Sequence, residues 1–352
     1  MVEVLFEPLS LGAISLANRI VMAPMTRDRA GPGDVPTELM AEYYRQRASA
    51  GMIVTEGVQP SAAGKGYWRT PGIYSGPQIE GWRQVTAAVH AAGGKIVMQI
   101  MHCGRVVVGA NRQGSAEVIA PSAIRCADLV PGPDGVPVQT EMPRALETAE
   151  ISGVIAQFAQ AAENACMAGF DGIELHCASG YLPNQFLNPR SNRRADIYGG
   201  NPQNRARFIL EVLAAMAGKV GAGRVGFRIS PGNPYNDMSI EDPEASFVPL
   251  LRAADGLGLA YLHLVDVRDM LGFVRENWSG AIIANNNLKA DSAAELIAGG
   301  WANAASFGRY FISNPDLPAR IRSGSQLTRV DRDTIYTGEE RGYTDYPVMA
   351  AP

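Results

Sequence analysis

"FDGIELHCASGY", residues 170–181, is a short apolar run that breaks into a loop presenting His176, Ser179 and Tyr181 within six positions. The run has strand length and is bounded by a polar loop, which reads as a strand buried on both faces. Seven further runs share this form: "RIVMAPM" (19–25), "GMIVTEG" (51–57), "KIVMQIM" (95–101), "RVGFRIS" (224–230), "AYLHLVD" (260–266), "GAIIANN" (280–286) and "NAASFGR" (303–309). Helix-length stretches lie between most of them. Thr37 is a candidate N-cap, Asn201 caps a helix with Pro202 in its first turn, and Gly93 and Gly169 close two others. Eight strands alternating with helices predict an α/β chain closed into a (β/α)8 barrel, with a short link between strands six and seven.

Three segments stand outside the repeat. "LFEPLSLGAISLANR" predicts a hairpin turning near Gly12, a plug for the barrel floor. Residues 104–147, rich in Gly, Pro and polar side chains, form a long insertion after strand three, and a loop of that length is expected to cover an active site. From Ser323 onward the chain is irregular, so 323–352 is expected to pack as a C-terminal arm on a single domain spanning 1–352.

The chain has 352 residues, 46% hydrophobic and 19% charged, with a formal net charge of −4, so it can bury a large core and carries no sustained basic patch. Nucleic acid is not an expected partner. No apolar run reaches the length of a spanning helix, and the N-terminus lacks the layout of a signal peptide. Cys103, Cys126, Cys166 and Cys177 form no CxxC pair and read as free thiols, which together predict a cytoplasmic protein away from membranes.

In such a barrel the chemistry sits at the C-terminal strand ends. These ends carry Pro24, Met25 and Thr26, Glu56 and Gly57, Gln99 and His102, His176, Arg228, Asn285 to Asn287, and Gly308 with Arg309. Glu56 is the main acid among them, so paired-carboxylate glycoside hydrolysis lacks a second partner. His102-Cys103 and His176-Cys177 offer zinc-ligand residue types, but adjacent residues on a strand point to opposite faces, so no metal site is expected. Strands seven and eight each end in a permissive turn and a helix start, a phosphate-binding arrangement to which Arg309 adds a charged fork and in which Asn286 could take positive φ. There is no GxGxxG, so a barrel-bound flavin phosphate suits the chain better than a Rossmann domain.

These motifs, together with "AEYYRQRASAGMIVTEG", "GYWRTPGIYS", "NQFLNPRSNRRADIYGGNPQNRARF" and "GYTDYP", resemble the Old Yellow Enzyme family of FMN-dependent ene-reductases along essentially the whole chain. The resemblance implies FMN at the barrel mouth. Pro24, Met25 and Thr26 would meet the isoalloxazine edge, Gly57 would admit the ring, Gln99 and Arg228 would meet the pyrimidine side, and Asn286, Gly308 and Arg309 would cradle the phosphate. His176 and Tyr181 match the family's carbonyl donor and proton donor. Ser179 departs from the Asn or His of the second donor, Met101 replaces a tryptophan, and Asn285 and Asn286 replace glycines. Tyr67 and Tyr343 match pocket-lining aromatics, with Trp68 and Arg69 unusual beside the first. The implied activity is NADPH- or NADH-driven reduction of an electron-poor alkene, such as an α,β-unsaturated carbonyl or nitro compound. The alternative is isomerisation or reductive cyclisation of a larger unsaturated carbonyl substrate. A monomer or homodimer is expected.

Overall fold

The structure is a computed structural model that describes residues 2–112 and 116–349. Residues 113–115 of the insertion and the last three of the arm lie outside the described residues. Eight parallel strands, β1 (Ile20–Met22), β2 (Met52–Val58), β3 (Ile96–Ile100), β4 (Gly172–His176), β5 (Val225–Ile229), β6 (Tyr261–Val265), β7 (Ile282–Asn285) and β8 (Ala304–Phe307), pair in sequence order and close β8 against β1. Each lies inside one of the eight runs read as strands, give or take a residue. Helices α1 (Glu38–Arg45), α2 (Gly76–Ala91), α3 (Thr148–Met167), α4 (Pro202–Val220), α5 (Pro243–Asp255), α6 (Leu271–Asn277) and α7 (Ala290–Ala298) follow β1 to β7 in turn. The seven-residue α6 is the short link between strands six and seven.

Local chemistry sets the boundaries. The Thr37 hydroxyl accepts the Met40 N–H at 3.3 Å, and the Asn201 side chain accepts the Asn204 N–H at 2.8 Å. Each satisfies an orphan donor of a first helical turn, worth about 1 kcal/mol. Gly93 and Gly169 take φ of +80° and +90° just beyond the helices they terminate.

Side chains fill the barrel in layers. At the bottom, Leu11, Ile14 and Leu16 of the hairpin Leu9–Leu16 pack against Val21, Val54, Val97, Tyr261 and Ile283, all buried. Full burial of such a side chain contributes about 1.5–3 kcal/mol, so the hairpin is held as a plug. Its turn admits only glycine: Gly12 has φ +56°, and a Cβ there would lie 2.3 Å from the Gly223 carbonyl oxygen. Above this layer the interior becomes polar, with Gln99, Glu174, His263 and Ser306, all buried. His176 and Arg228, paired in register on neighbouring strands, stand above these at the strand ends.

The insertion returns to the barrel mouth. Val106, Val107, Cys126 and Val130 join Met101 and Tyr181 in one apolar cluster with Tyr67. Arg105, fully buried, reaches the Asp237 carboxylate at 3.1 Å and ties the insertion to the loop after β5. The tail is anchored by buried guanidiniums of the loop after β1: Arg27 donates to the carbonyls of Ile335 and Gly342, and Arg29 to that of Thr334. All four cysteines are free thiols, and among the described residues no helix is long and apolar enough to cross a membrane.

Candidate active site

A cavity of about 980 Å³ opens at the C-terminal strand ends, and Pro24, Met25, Arg228, Asn286, Gly308 and Arg309 line it. Its inner end is the guanidinium of Arg228, which donates from Nη2 to Asn285 Oδ1 at 2.9 Å while its buried Nε has no partner. An orphaned, buried N–H on a cation is an unmet demand for an acceptor. The outer end carries Arg309, Arg329 and Arg332, with Arg309 held to Asn287 Oδ1 at 3.0 Å. Asn286 and Asn287 turn the chain at φ of +143° and +48°, conformations that glycine adopts without strain. The cavity is therefore cationic at both ends, with an apolar stretch between that suits a flat ring.

Three residues expected beside the flavin do not line this cavity. Thr26 is half-buried next to the cavity without lining it. Gln99 lies in the polar layer below, its Nε2 donating to Glu174 Oε1 at 2.8 Å, and no described protein group donates to its Oε1. Gly57 does not present bare backbone to the cavity. A Cβ there would come within 2.5 Å of the Met101 sulfur, so this glycine makes room for Met101.

His176, Tyr181 and Tyr67 meet beside this cavity. The His176 and Tyr181 rings contact edge-to-face with centroids 4.8 Å apart, and the Tyr181 and Tyr67 hydroxyls are 3.0 Å apart. Burial lowers the His176 pKa to about 3, with the Arg228 charge in the same direction, so its ring is neutral near pH 7. Nδ1 accepts the Ala178 N–H at 3.3 Å, which leaves the proton on Nε2, a donor with no protein partner among the described residues. Burial also pushes Tyr181 and Tyr67 well above the usual phenol range, so both keep their protons. Ser179 is half-buried at φ +55°, anchored through its backbone: its N–H donates to Ser230 Oγ at 2.9 Å and its carbonyl accepts from Asn236 at 2.7 Å. Its hydroxyl has no described protein partner.

Tyr343 is a correction. It is fully buried beneath the tail, stacked on Tyr43 with centroids 4.0 Å apart and capped by Arg27 and Arg29, so it supports the wall rather than lining the pocket. Tyr336, seven residues earlier, is the tail phenol within electrostatic reach of Tyr181 and Asp28, and nothing in its sequence context distinguished it. Arg69, left-handed at φ +49°, pairs with Glu339 of the tail at 3.0 Å. Glu56 points away from the cavity, accepting from Arg27 N and Tyr44 Oη, and burial raises its pKa to about 7. The zinc alternative fails on geometry. His102 turns to the outer side of the barrel wall, its ring 6.3 Å from Phe158 of α3, and does not share a centre with His176.

The polar layer was the site element sequence reading missed. Glu174 accepts from Gln99 Nε2 and from His263 Nδ1 at 2.9 Å, and His263 Nε2 meets Ser306 Oγ at 2.7 Å. A signal existed: Glu174 precedes His176 by two on one strand, so both face inward.

A family model, the NADH:flavin oxidoreductase / NADH oxidase family, matches residues 4–328. The chain belongs to the Old Yellow Enzyme family. It is 39% identical over 359 residues to a probable flavin mononucleotide-dependent alkene reductase of Leishmania infantum, covering 99% of this chain and 98% of that one. Among solved structures it resembles morphinone reductase in complex with tetrahydroNAD, with 43% identity, a TM-score of 0.93 and 98% of each chain covered. It also resembles the Old Yellow Enzyme homologue from Zymomonas mobilis, with 37% identity, a TM-score of 0.95, and 98% of this chain and 99% of that one covered. This Old Yellow Enzyme is an FMN-dependent ene-reductase on a TIM barrel.

Proposed function

We propose that the enzyme reduces the activated C=C bond of α,β-unsaturated carbonyl or nitro compounds with NADPH or NADH as hydride source, using His176 and Tyr181. The carrying observation is the neutral His176 with a free Nε2–H in edge contact with a protonated Tyr181, beside a cavity cationic at both ends. FMN, when bound, relays hydride between the nicotinamide and the alkene. The residues fit that cofactor. The orphaned Arg228 Nε and the Gln99 carbonyl oxygen offer a donor and an acceptor to a pyrimidine edge, and Arg309 with the Asn286 turn offers a cation to a phosphate. Pro24, Met25 and Thr26 follow β1 on the same rim, and Gly308 follows β8.

His176 Nε2 donates to the substrate oxygen, where negative charge develops as the β-carbon gains hydride. Because its pKa lies near 3, the ring polarises by hydrogen bonding and keeps its proton. Tyr181 delivers a proton to the α-carbon, and Tyr67, 3.0 Å away, is placed to refill it. Ser179 supplies the second donor through a short hydroxyl. Met101 and Tyr67 shape the apolar wall, and the insertion backing them excludes water. We expect it to act in the cytoplasm as a monomer or homodimer.

An anaerobic absorbance titration tests the reading. The yellow protein should bleach with NADPH or NADH and recover with 2-cyclohexenone or N-ethylmaleimide. Recovery with oxygen alone and with no activated alkene would rule it out.

A further inference from the structure

Behind Gln99, the group Glu174, His263 and Ser306 takes no part in the chemistry above, yet it is fully buried and joined in one hydrogen-bonded chain. A carboxylate has no donor, so the group of Gln99 facing Glu174 must be its amide NH₂, and Oε1 is left as the free end. The second Glu174 oxygen is occupied by His263 Nδ1–H, and His263 Nε2 then accepts from the Ser306 hydroxyl. Gln99 cannot turn over without breaking this chain. Arg228 stands one step above on the neighbouring strand, registered with His176, and makes no direct ion pair with Glu174. Across the dry interior between them, the Glu174 carboxylate still favours the charged guanidinium against burial.

We propose that Glu174 is a positioning residue for the flavin's pyrimidine edge: it locks Gln99 with its carbonyl oxygen free, and its charge offsets that of Arg228, weakening the hold on the reduced, anionic cofactor. The layer thus sets how readily the enzyme gives up hydride. The inference rests on the flavin reading above. The shifts agree with it: burial raises the Glu174 pKa, and His263 and then Arg228 outweigh it, while burial lowers that of Arg228 and Glu174 opposes it.

The test is Glu174→Gln in the FMN-loaded enzyme, read by the flavin midpoint potential and by sulfite titration of the flavin band, since the adduct is anionic. The reduced-to-oxidised ratio should shift about tenfold toward reduced, near 30 mV for a two-electron couple, with a similar tightening of sulfite. His263→Gln, which keeps the carboxylate, should leave both readouts within threefold. An unshifted E174Q would overturn the proposal, as would an equal shift in H263Q, because loosened packing rather than charge would then be the cause. If E174Q does not fold, E174D, which keeps the charge and draws it back from Gln99, should leave the reduced-to-oxidised ratio within threefold of the parent and loosen flavin retention; a tenfold shift toward reduced, or unchanged retention, would overturn the proposal. A parent protein that takes up no flavin would instead overturn the functional reading itself.

Discussion

The two ends of the barrel solve opposite problems. At the floor, the hairpin, Val21, Val97 and Tyr261 exclude water by apolar packing, and the demanding contact is a glycine against a carbonyl. At the mouth, the buried Arg228 Nε has no partner, and His176 Nε2 and the Ser179 hydroxyl meet no protein group among the described residues. Facing an open cavity, such orphans are groups that a ligand or water can satisfy. Stability and chemistry should therefore separate cleanly under mutation.

The mouth should give the largest effects on rate. Tyr181→Phe should slow alkene-dependent reoxidation by about 10²–10⁴-fold. His176→Ala should slow it by about 10²–10³-fold. Stopped-flow traces should show nicotinamide-dependent bleaching nearly unchanged in Tyr181→Phe. Equal loss in both half-reactions would mean that Tyr181 holds the site's shape rather than a proton. At the floor, Gly12→Ala should cost about 2–4 kcal/mol, because it combines a positive φ with a backbone clash. Thermal melts should shift by several degrees, while the folded enzyme keeps its KM.

The same contrast appears in pH. His102 and His176, both pushed to about 3 by burial, leave the unfolded chain binding more protons below pH 6.5, so stability falls as pH drops from there toward 3. Asp28 acts in the other direction. Burial, with the Glu56 charge, raises its pKa to about 8, so the folded chain holds a proton that the unfolded chain has lost above about pH 4. Stability then declines as pH rises from about 4 to 8. Asp28→Asn should raise the melting temperature at pH 8 and change it little at pH 4.

What sequence could reveal follows the range of the forces involved. The eight strands were legible because burial on both faces leaves continuous apolar runs, and Thr37 and Asn201 were legible because capping is local. The positive-φ turn at Asn286 and the His176 to Tyr181 loop were legible because each lies within a few residues. Tyr343 and Tyr336 were not separable, since their places depend on how the tail docks on Arg27 and Arg29 some 300 positions away. Gly57 was read as space for a ring, and the neighbour that a Cβ there would meet is Met101, a contact made across two strands. The Glu174 layer joins β3, β4, β6 and β8, and only closure of the barrel brings those strands together.

Ser179 yields the smallest effect, and the one that isolates chemistry from strain at a single position. At φ +55° serine is in a region where asparagine is enriched and glycine is unstrained. Ser179→Gly should raise stability by about 0.5–1 kcal/mol and remove the side-chain donor. Ser179→Asn should relieve part of the same strain and extend an amide toward the substrate oxygen, speeding enone-dependent reoxidation by about tenfold. If the two variants gain similar stability and only Asn gains rate, the serine limits catalysis by its reach. If both gain rate, backbone strain at the loop is what holds the reaction back. A glycine variant that melts lower and an asparagine variant that is no faster would mean that the half-buried serine hydroxyl is already bonded within the loop, and that His176 carries the substrate oxygen alone.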